Sequence, residues 1–251
     1  MLTLARDLRR RRARERQGLF VAEGVRAVDE LLRSDIAVRG VLVSPQLAAS
    51  ARGALEGAAG VRGVTLAEVT AEEFASAADT ESPQGVLAIG EVPDRSTRDL
   101  SLPETARLVV LDGVQDPGNV GTILRTAAAF GVAATLALPG TVDLWNAKVV
   151  RSAMGALFHH PVLSCTWEEL ATFLAAANAE LWGADAGGEP VARSRGGRPS
   201  RLALAVGNEG AGLSREATAL ASRLVGLPIA SHVESLNVAV ATGILLYELQ
   251  P

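Results

Sequence analysis

Only one cysteine, Cys165, occurs in the 251 residues. A disulfide framework within one chain is therefore impossible, and zinc sites built on cysteines are excluded. Aromatic residues are scarce at 4%, which suits an α/β body of tightly packed small and branched side chains. Lysine occurs once, as Lys148, so arginine carries nearly all the positive charge. The longest apolar run, Val238–Tyr247, is too short to span a bilayer. The start, MLTLARDLRRRR, places charge where a secretory signal needs an apolar stretch. No cluster of His, Cys, Asp and Glu at metal-ligand spacing is visible. The expectation is a cytoplasmic protein with no membrane partner and no metal.

What is present is a large apolar fraction, 48%, enough for a real core. Net charge is −4, unpromising for a nucleic-acid binder until its distribution is considered. Residues 1–16 hold seven arginines, Arg6, Arg9, Arg10, Arg11, Arg12, Arg14 and Arg16, against Asp7 and Glu15. A second cluster is Arg193, Arg195, Arg198 and Arg201. Taken alone, such runs are most simply a solvated arm and a solvated loop.

Residues 91–106, EVPDRSTRDLSLPETA, are polar, contain two prolines and lack apolar periodicity, so they read as a linker. This divides the chain into 1–92, a linker at 93–106, and 107–251. The first part alternates a helix near 23–34, a strand at 38–43, a helix after Pro45, a strand near 63–67, a helix near 71–77 and a strand at 85–90. In the second, apolar runs at 107–112, 132–138, 180–184, 202–206 and 224–227 read as buried parallel strands. Val120, Ile123, Leu124, Ala127 and Ala128 share one face of an intervening helix. Val238, Ala241, Thr242, Leu245, Leu246 and Leu249 share a face of the last.

Three loops follow predicted strands, at the end of a parallel sheet where ligands bind. They are DGVQDPGNVG (112–121), GNEGAGLS (207–214) and LPIASHVESLN (227–237). The second spaces its glycines as G-x-x-G-x-G, late in the chain, and carries Glu209. It lacks the lysine and Ser/Thr of a phosphate cradle, so it suits a ligand without polyphosphate. Ser235 and Asn237 are good helix N-caps, which is the simpler reading of that tetrapeptide. Arg125 in the otherwise apolar or small run Thr122–Phe130 reads most simply as a surface residue.

Together the loops resemble the SpoU (TrmH) family of RNA 2′-O-ribose methyltransferases, in the SPOUT superfamily. DPGNVGTILRTAAAFG, VGNEGAGLS and LPIASHVESLNVAVATGILLYE match its three motifs in order, and LFVAEGVRAVDELL and SPQGVLAI look like its substrate-binding domain. The resemblance implies an α/β fold with a SPOUT-type parallel sheet and a C-terminal trefoil knot, preceded by a small ribosomal-protein-like α/β/α domain. It implies a homodimer and S-adenosylmethionine as methyl donor. Gly207, Leu227 and Leu236 match donor-site positions, with Asn208, Ile229, Ser235 and Asn237 beside them. Asn119, Arg125, Glu209, Ser235 and Asn237 match the active-site set. Arg6, Arg9, Arg10, Arg11, Arg12, Arg14, Arg16 and Arg26 are the candidate RNA contacts. Ser231-His232 departs from the pattern, where many members have a glycine.

The implied reaction is methyl transfer to a ribose 2′-hydroxyl of structured RNA. Ribosomal RNA is favoured over transfer RNA, because the two-domain layout resembles members acting there. A sulfonium loses its charge in the transition state, so a carboxylate paired with it would hinder transfer. Glu209 is therefore expected to orient loops and partner. Arg125, always protonated, is expected to hold a phosphate and steady the developing alkoxide rather than act as base. Two other classes compete. A nicotinamide oxidoreductase needs an early G-x-G-x-x-G that is missing, and a non-catalytic RNA-binding protein would not need the full active-site set.

Overall fold

A computed structural model describes residues 1–192, 197–230 and 232–250. The chain forms two compact units, one of 1–94 with 143–159, the other of 95–142 with 160–251.

The first unit opens with two short helices, α1 (Leu2–Asp7) and α2 (Arg11–Gln17). Strand β1 (Leu19–Glu23) follows, then α3 (Val25–Arg33), β2 (Val38–Val43), α4 (Ala49–Val61), β3 (Leu66–Glu68), α5 (Ala71–Ala77) and β4 (Val86–Glu91). The sheet order is β1-β4-β2-β3. β4 is antiparallel to both neighbours, and β2 and β3 are parallel. All five residues of β1 are buried, so it shows no polar alternation, and the sequence reading passed over it. α5 starts at a capping box, in which Thr70 and Glu73 satisfy each other's backbone N–H.

The arginine-rich start is not a free arm. Ala5 and Leu8 lie in the same apolar core as Phe74 and Leu87.

The second unit begins with β5 (Ala106–Asp112), α6 (Pro117–Ala129) and β6 (Ala134–Ala137). The chain then runs through α7 (Ala147–Ser152), β7 (Val162–Ser164), α8 (Trp167–Ala177), β8 (Glu180–Pro190) and β9 (Arg201–Gly207). It ends with α9 (Arg215–Leu220), β10 (Arg223–Gly226) and α10 (Val238–Glu248). The six strands are ordered β10-β8-β9-β5-β6-β7, and every neighbouring pair is parallel. Their carboxyl ends therefore open on one edge. Central β5 is buried throughout, as an apolar run without alternation requires. β7, with three residues, is too short to show a pattern.

α10 is apolar on nearly every side. Ala239, Thr242, Leu245 and Leu246 are buried, and the helix packs against α6. Its end is latched by buried Arg107, whose Nε donates to the Leu249 carbonyl at 2.5 Å and whose Nη1 donates to Ser200 O at 2.9 Å. Burial, and then the nearby Arg198, push the Arg107 guanidinium below its ordinary value. Among the described residues no helix is long and apolar enough to cross a membrane.

The stretch 143–159, with α7, departs from the sequence-based division by packing with the first unit. Phe20 packs tilted against Trp145 at 4.5 Å and stacks on Phe158 at 5.8 Å between ring centroids. Arg14 donates from Nε and Nη2 to Asp143 Oδ2 at 2.8 and 2.6 Å. The pair is 7% and 15% exposed, and Arg14 Nη1 also donates to the Leu8 and Arg9 carbonyls. This corrects one expected RNA contact. Arg14 faces inward because its guanidinium closes a charge pair and two helix-end carbonyls. Removing one partner of such a pair strands the other. Arg14→Ala is expected to lower unfolding free energy by about 3–5 kcal/mol, while Arg12→Ala, at an exposed position, leaves it within about 0.5 kcal/mol. Urea denaturation of the two variants checks this.

Candidate active site

The three glycine- and asparagine-bearing loops leave the carboxyl ends of β5, β9 and β10. The first caps α6, where Asp116 accepts the Asn119 N–H at 2.9 Å and Pro117 sits in the first turn. The second closes on itself. Asn208 Oδ1 accepts the N–H groups of Gly210 and Ala211 at 2.9 and 3.0 Å, and its Nδ2 donates to the Gly113 carbonyl. A Cβ at Gly207 would strike the Gly212 carbonyl, so only glycine lets the turn fold back. Buried Asp112 accepts the Ser214 N–H at 2.6 Å and fixes the loop's exit. The third loop delivers Asn237, whose Oδ1 accepts the Ala239 and Val240 N–H groups and caps α10.

A side-chain chain ties the loops together. Asn237 Nδ2 donates to Asn119 Oδ1 at 2.9 Å, and Asn119 Nδ2 donates to Glu209 Oε1 at 3.0 Å. Glu209 also accepts the Gln115 and Asp116 N–H groups at 3.1 and 3.0 Å. The direction of every bond is forced. Helix N–H groups at one end only donate, and a carboxylate at the other only accepts. Partial burial would raise the Glu209 carboxyl. The Asn119 amide and the Asp116 and Gln115 N–H groups outweigh it and hold the group below the usual carboxylate value.

Where the second and third loops meet lies a cavity of about 540 Å³. Gly207, Asn208 and Glu209 form one wall, Leu227 and Ile229 a second, and Ser235, Leu236 and Asn237 a third. Every residue expected to hold the cofactor therefore faces one space. Asn208 and Asn237 do so with side chains already committed to loop and cap. Ser235 is exposed, and its hydroxyl has no partner among the described residues. Asn119 reaches the site only through Glu209 and Asn237. Arg125 is not among the cavity's lining residues. It is exposed on α6 and makes no hydrogen bond or ion pair among the described residues.

Sequence reasoning missed the floor, which is formed by Ala184, Asp185 and Ala186 of β8 with Ala241 and Leu245 of α10. It ended β8 at 184, whereas the strand continues to Pro190 across a register break opposite Leu224 and Val225. The available signal was Asp-Ala-Gly-Gly at the carboxyl end of a parallel strand. His160 is an interior residue, 2.8 Å from Thr135 Oγ1, with burial pushing its pKa down to about 4. Exposed His159 lies 3.3 Å from Glu30.

Of the expected RNA contacts, Arg6, Arg9, Arg10, Arg11, Arg12, Arg16 and Arg26 are exposed. Arg6 and Arg9 lean on Ser76, Arg10 and Arg16 pair with Asp7, and Arg11 pairs with Glu15. In the second cluster Arg201 donates to the Leu102, Pro103 and Ala177 carbonyls. Arg193, Arg195 and Ser231 lie outside the described residues.

Glu209→Ala is expected to free the Gln115 and Asp116 amides, raising their hydrogen exchange about tenfold or more. The Gly210 and Ala211 amides, held by Asn208, keep their protection. A folded-state pKa below the unfolded one adds stability above pH ~4.3, and that stability is lost as pH falls through the lowered value. The stability gap between wild type and Glu209→Ala should therefore close on acidification.

Two family descriptions match the chain: SpoU rRNA Methylase family over residues 106–247, and MRM3-like substrate binding domain over residues 4–88. The chain is 33% identical over 246 residues to the 23S rRNA (guanosine(2553)-2′-O)-methyltransferase RlmP of Bacillus subtilis (strain 168), across 98% of this chain and 94% of that protein. It superposes on the AdoMet-bound rRNA methyltransferase from Sinorhizobium meliloti with a TM-score of 0.87 at 30% identity, covering 99% of this chain and 93% of that one. The SpoU methyltransferase AviRb from Streptomyces viridochromogenes, in complex with the cofactor AdoMet, gives 0.87 at 28% identity, covering 99% and 96%. With the motif loops gathered on one edge of a parallel sheet and the family match running through more than half its length, this chain belongs to the SpoU rRNA methylase family.

Proposed function

We propose that this protein transfers a methyl group from S-adenosylmethionine to a ribose 2′-hydroxyl of ribosomal RNA. The observation that carries the reading is the cavity itself. Among the described residues its walls contain no Lys, Arg or His, but they do contain Leu227, Ile229 and Leu236 beside polar backbone and two carboxylates. Such a lining disfavours polyphosphate and suits a ligand that joins an aromatic base, a sugar and a positive charge. Its volume falls within the ~300–1,000 Å³ usual for small-molecule sites. When bound, S-adenosylmethionine supplies an electrophilic methyl on sulfur.

The protein's own contribution is placement. Holding a hydroxyl against a methyl group in near-attack geometry can be worth ~7–11 kcal/mol. The Glu209–Asn119–Asn237 chain keeps the loops in register without aiming a free carboxylate at the sulfonium. The Ser235 hydroxyl, without a partner among the described residues, orients the substrate ribose. Arg125, permanently charged and without a partner among the described residues, holds the neighbouring phosphate and stabilises the alkoxide as the proton passes to solvent water.

In this reading residues 1–92 form a ribosomal-protein-like RNA-binding domain, and 93–106 form the linker. The exposed arginines supply salt-dependent phosphate contacts. The C-terminal segment closes a trefoil knot. Support for this comes from α10, which returns from edge strand β10 to pack on α6 and is latched by Arg107 at β5. The protein is cytoplasmic and works as a homodimer. Val240, Ile244 and Tyr247 are 53%, 42% and 63% exposed along one stripe of α10, an apolar face that a second copy of α10 and α6 would cover.

Labelled donor and ribosomal RNA from cells lacking the gene should yield a 2′-O-methyl mark with wild type. Arg125→Ala and Arg125→Lys should both lose about 10²–10³ in kcat with donor affinity unchanged. A fully active lysine variant would show that the guanidinium fork is not needed. Ile244→Glu should convert dimer to monomer in sedimentation, with activity lost alongside. A protein that is monomeric before mutation would remove the dimer from this reading.

A further inference from the structure

The cavity has two carboxylates, and Asp185 is the less engaged of them. Both oxygens of Glu209 are occupied by Gln115, Asp116 and Asn119. Asp185 uses Oδ1 to accept the Gly187 N–H at 2.8 Å. Its Oδ2 has no partner among the described residues, and the residue is exposed at the cavity wall.

The backbone holds Asp185 in place. At the register break of β8 and β10, the stretch 184–188 bulges against the end of β10. A Cβ on Gly226 would lie 2.5 Å from the Asp185 carbonyl, and one on Gly188 would lie 2.6 Å from the Val225 carbonyl carbon. Two glycines therefore press this bulge against the residue that precedes Leu227. Asp185 consequently stands close to Gly226, the residue before Leu227, in the same cavity lining as Leu227 and Ile229.

We propose that Asp185 is the acceptor for the ribose hydroxyls of the bound nucleoside, fixing the donor's sugar from the end of β8, the strand beside β9 and its Gly207 loop. This rests on the methyl-donor reading above and adds to it a residue outside the three family motifs. A vicinal diol offers two O–H donors to one carboxylate. The sulfonium is a poor partner, because a contact made to its charge would be lost in the transition state. Asp185 sets affinity and selects ribose over deoxyribose in the nucleoside.

Calorimetry on the full chain tests this with S-adenosylhomocysteine, its 2′,3′-dideoxy analogue and methylthioadenosine, which lacks the amino-acid tail. Asp185→Ala should weaken S-adenosylhomocysteine and methylthioadenosine equally, by about 10- to 100-fold, as expected for bonds to a charged acceptor. The dideoxy analogue should bind wild type and variant alike. Asp185→Asn, which can still accept the Gly187 N–H, should keep the fold and lose part of the affinity. Undiminished binding by Asp185→Ala, with wild type binding normally, overturns the assignment to Asp185 and leaves the methyl-donor reading intact. A loss confined to S-adenosylhomocysteine moves the contact to the ammonium group and overturns the ribose assignment. Wild type that binds none of the three overturns the donor reading itself.

Discussion

Asn119 accepts from Asn237 and donates to Glu209, and those two bonds are where three distant parts of the chain become one site. Each end of this chain is anchored in backbone. Asn237 caps α10, and Glu209 gathers the N–H groups that precede α6. The bonds can run in only one direction, so the two asparagine amides have one orientation each. The Glu209 and Asn237 sides of the cavity depend on this tie, because their loops follow β9 and β10, which are not neighbours in the sheet. It also accounts for an acidic residue in a site that must not hold a sulfonium too tightly. The charge of Glu209 is directed into the protein.

The sheet makes that tie possible. Six parallel strands send their carboxyl ends to one edge, and the register of β5 with β9 brings Asp112 level with Gly207. Glycine then matters where backbone meets backbone. Gly207 lets its loop fold onto Gly212, and Gly188 and Gly226 let β8 bulge against β10. A side chain at any of these would separate the walls and open the cavity.

The first unit follows a different logic. Its core includes residues from the stretch between β6 and β7, so Phe20 and Arg14 find partners more than a hundred positions away. An arginine among seven in sixteen residues looks like every other from composition alone. Which one turns inward depends on where Asp143 and two free carbonyls lie. The same reasoning explains β1, whose burial on both faces erases the alternation that marks a strand. It also explains Asp185, which an isolated reading of β8 leaves just past the strand's end.

The three loops, their order and their spacing were legible in the linear sequence. So were most strands of both sheets and the burial of Thr242, Leu245 and Leu246 on α10. These are local properties, because turns need particular residues and buried strands need unbroken apolar runs. Convergence was not local. Proximity of Asn119, Glu209 and Asn237, the inward turn of Arg14, and the bulge that carries Asp185 to the cavity arise from strand order and register. Both come from packing between segments far apart in the chain, and no window of sequence contains that information.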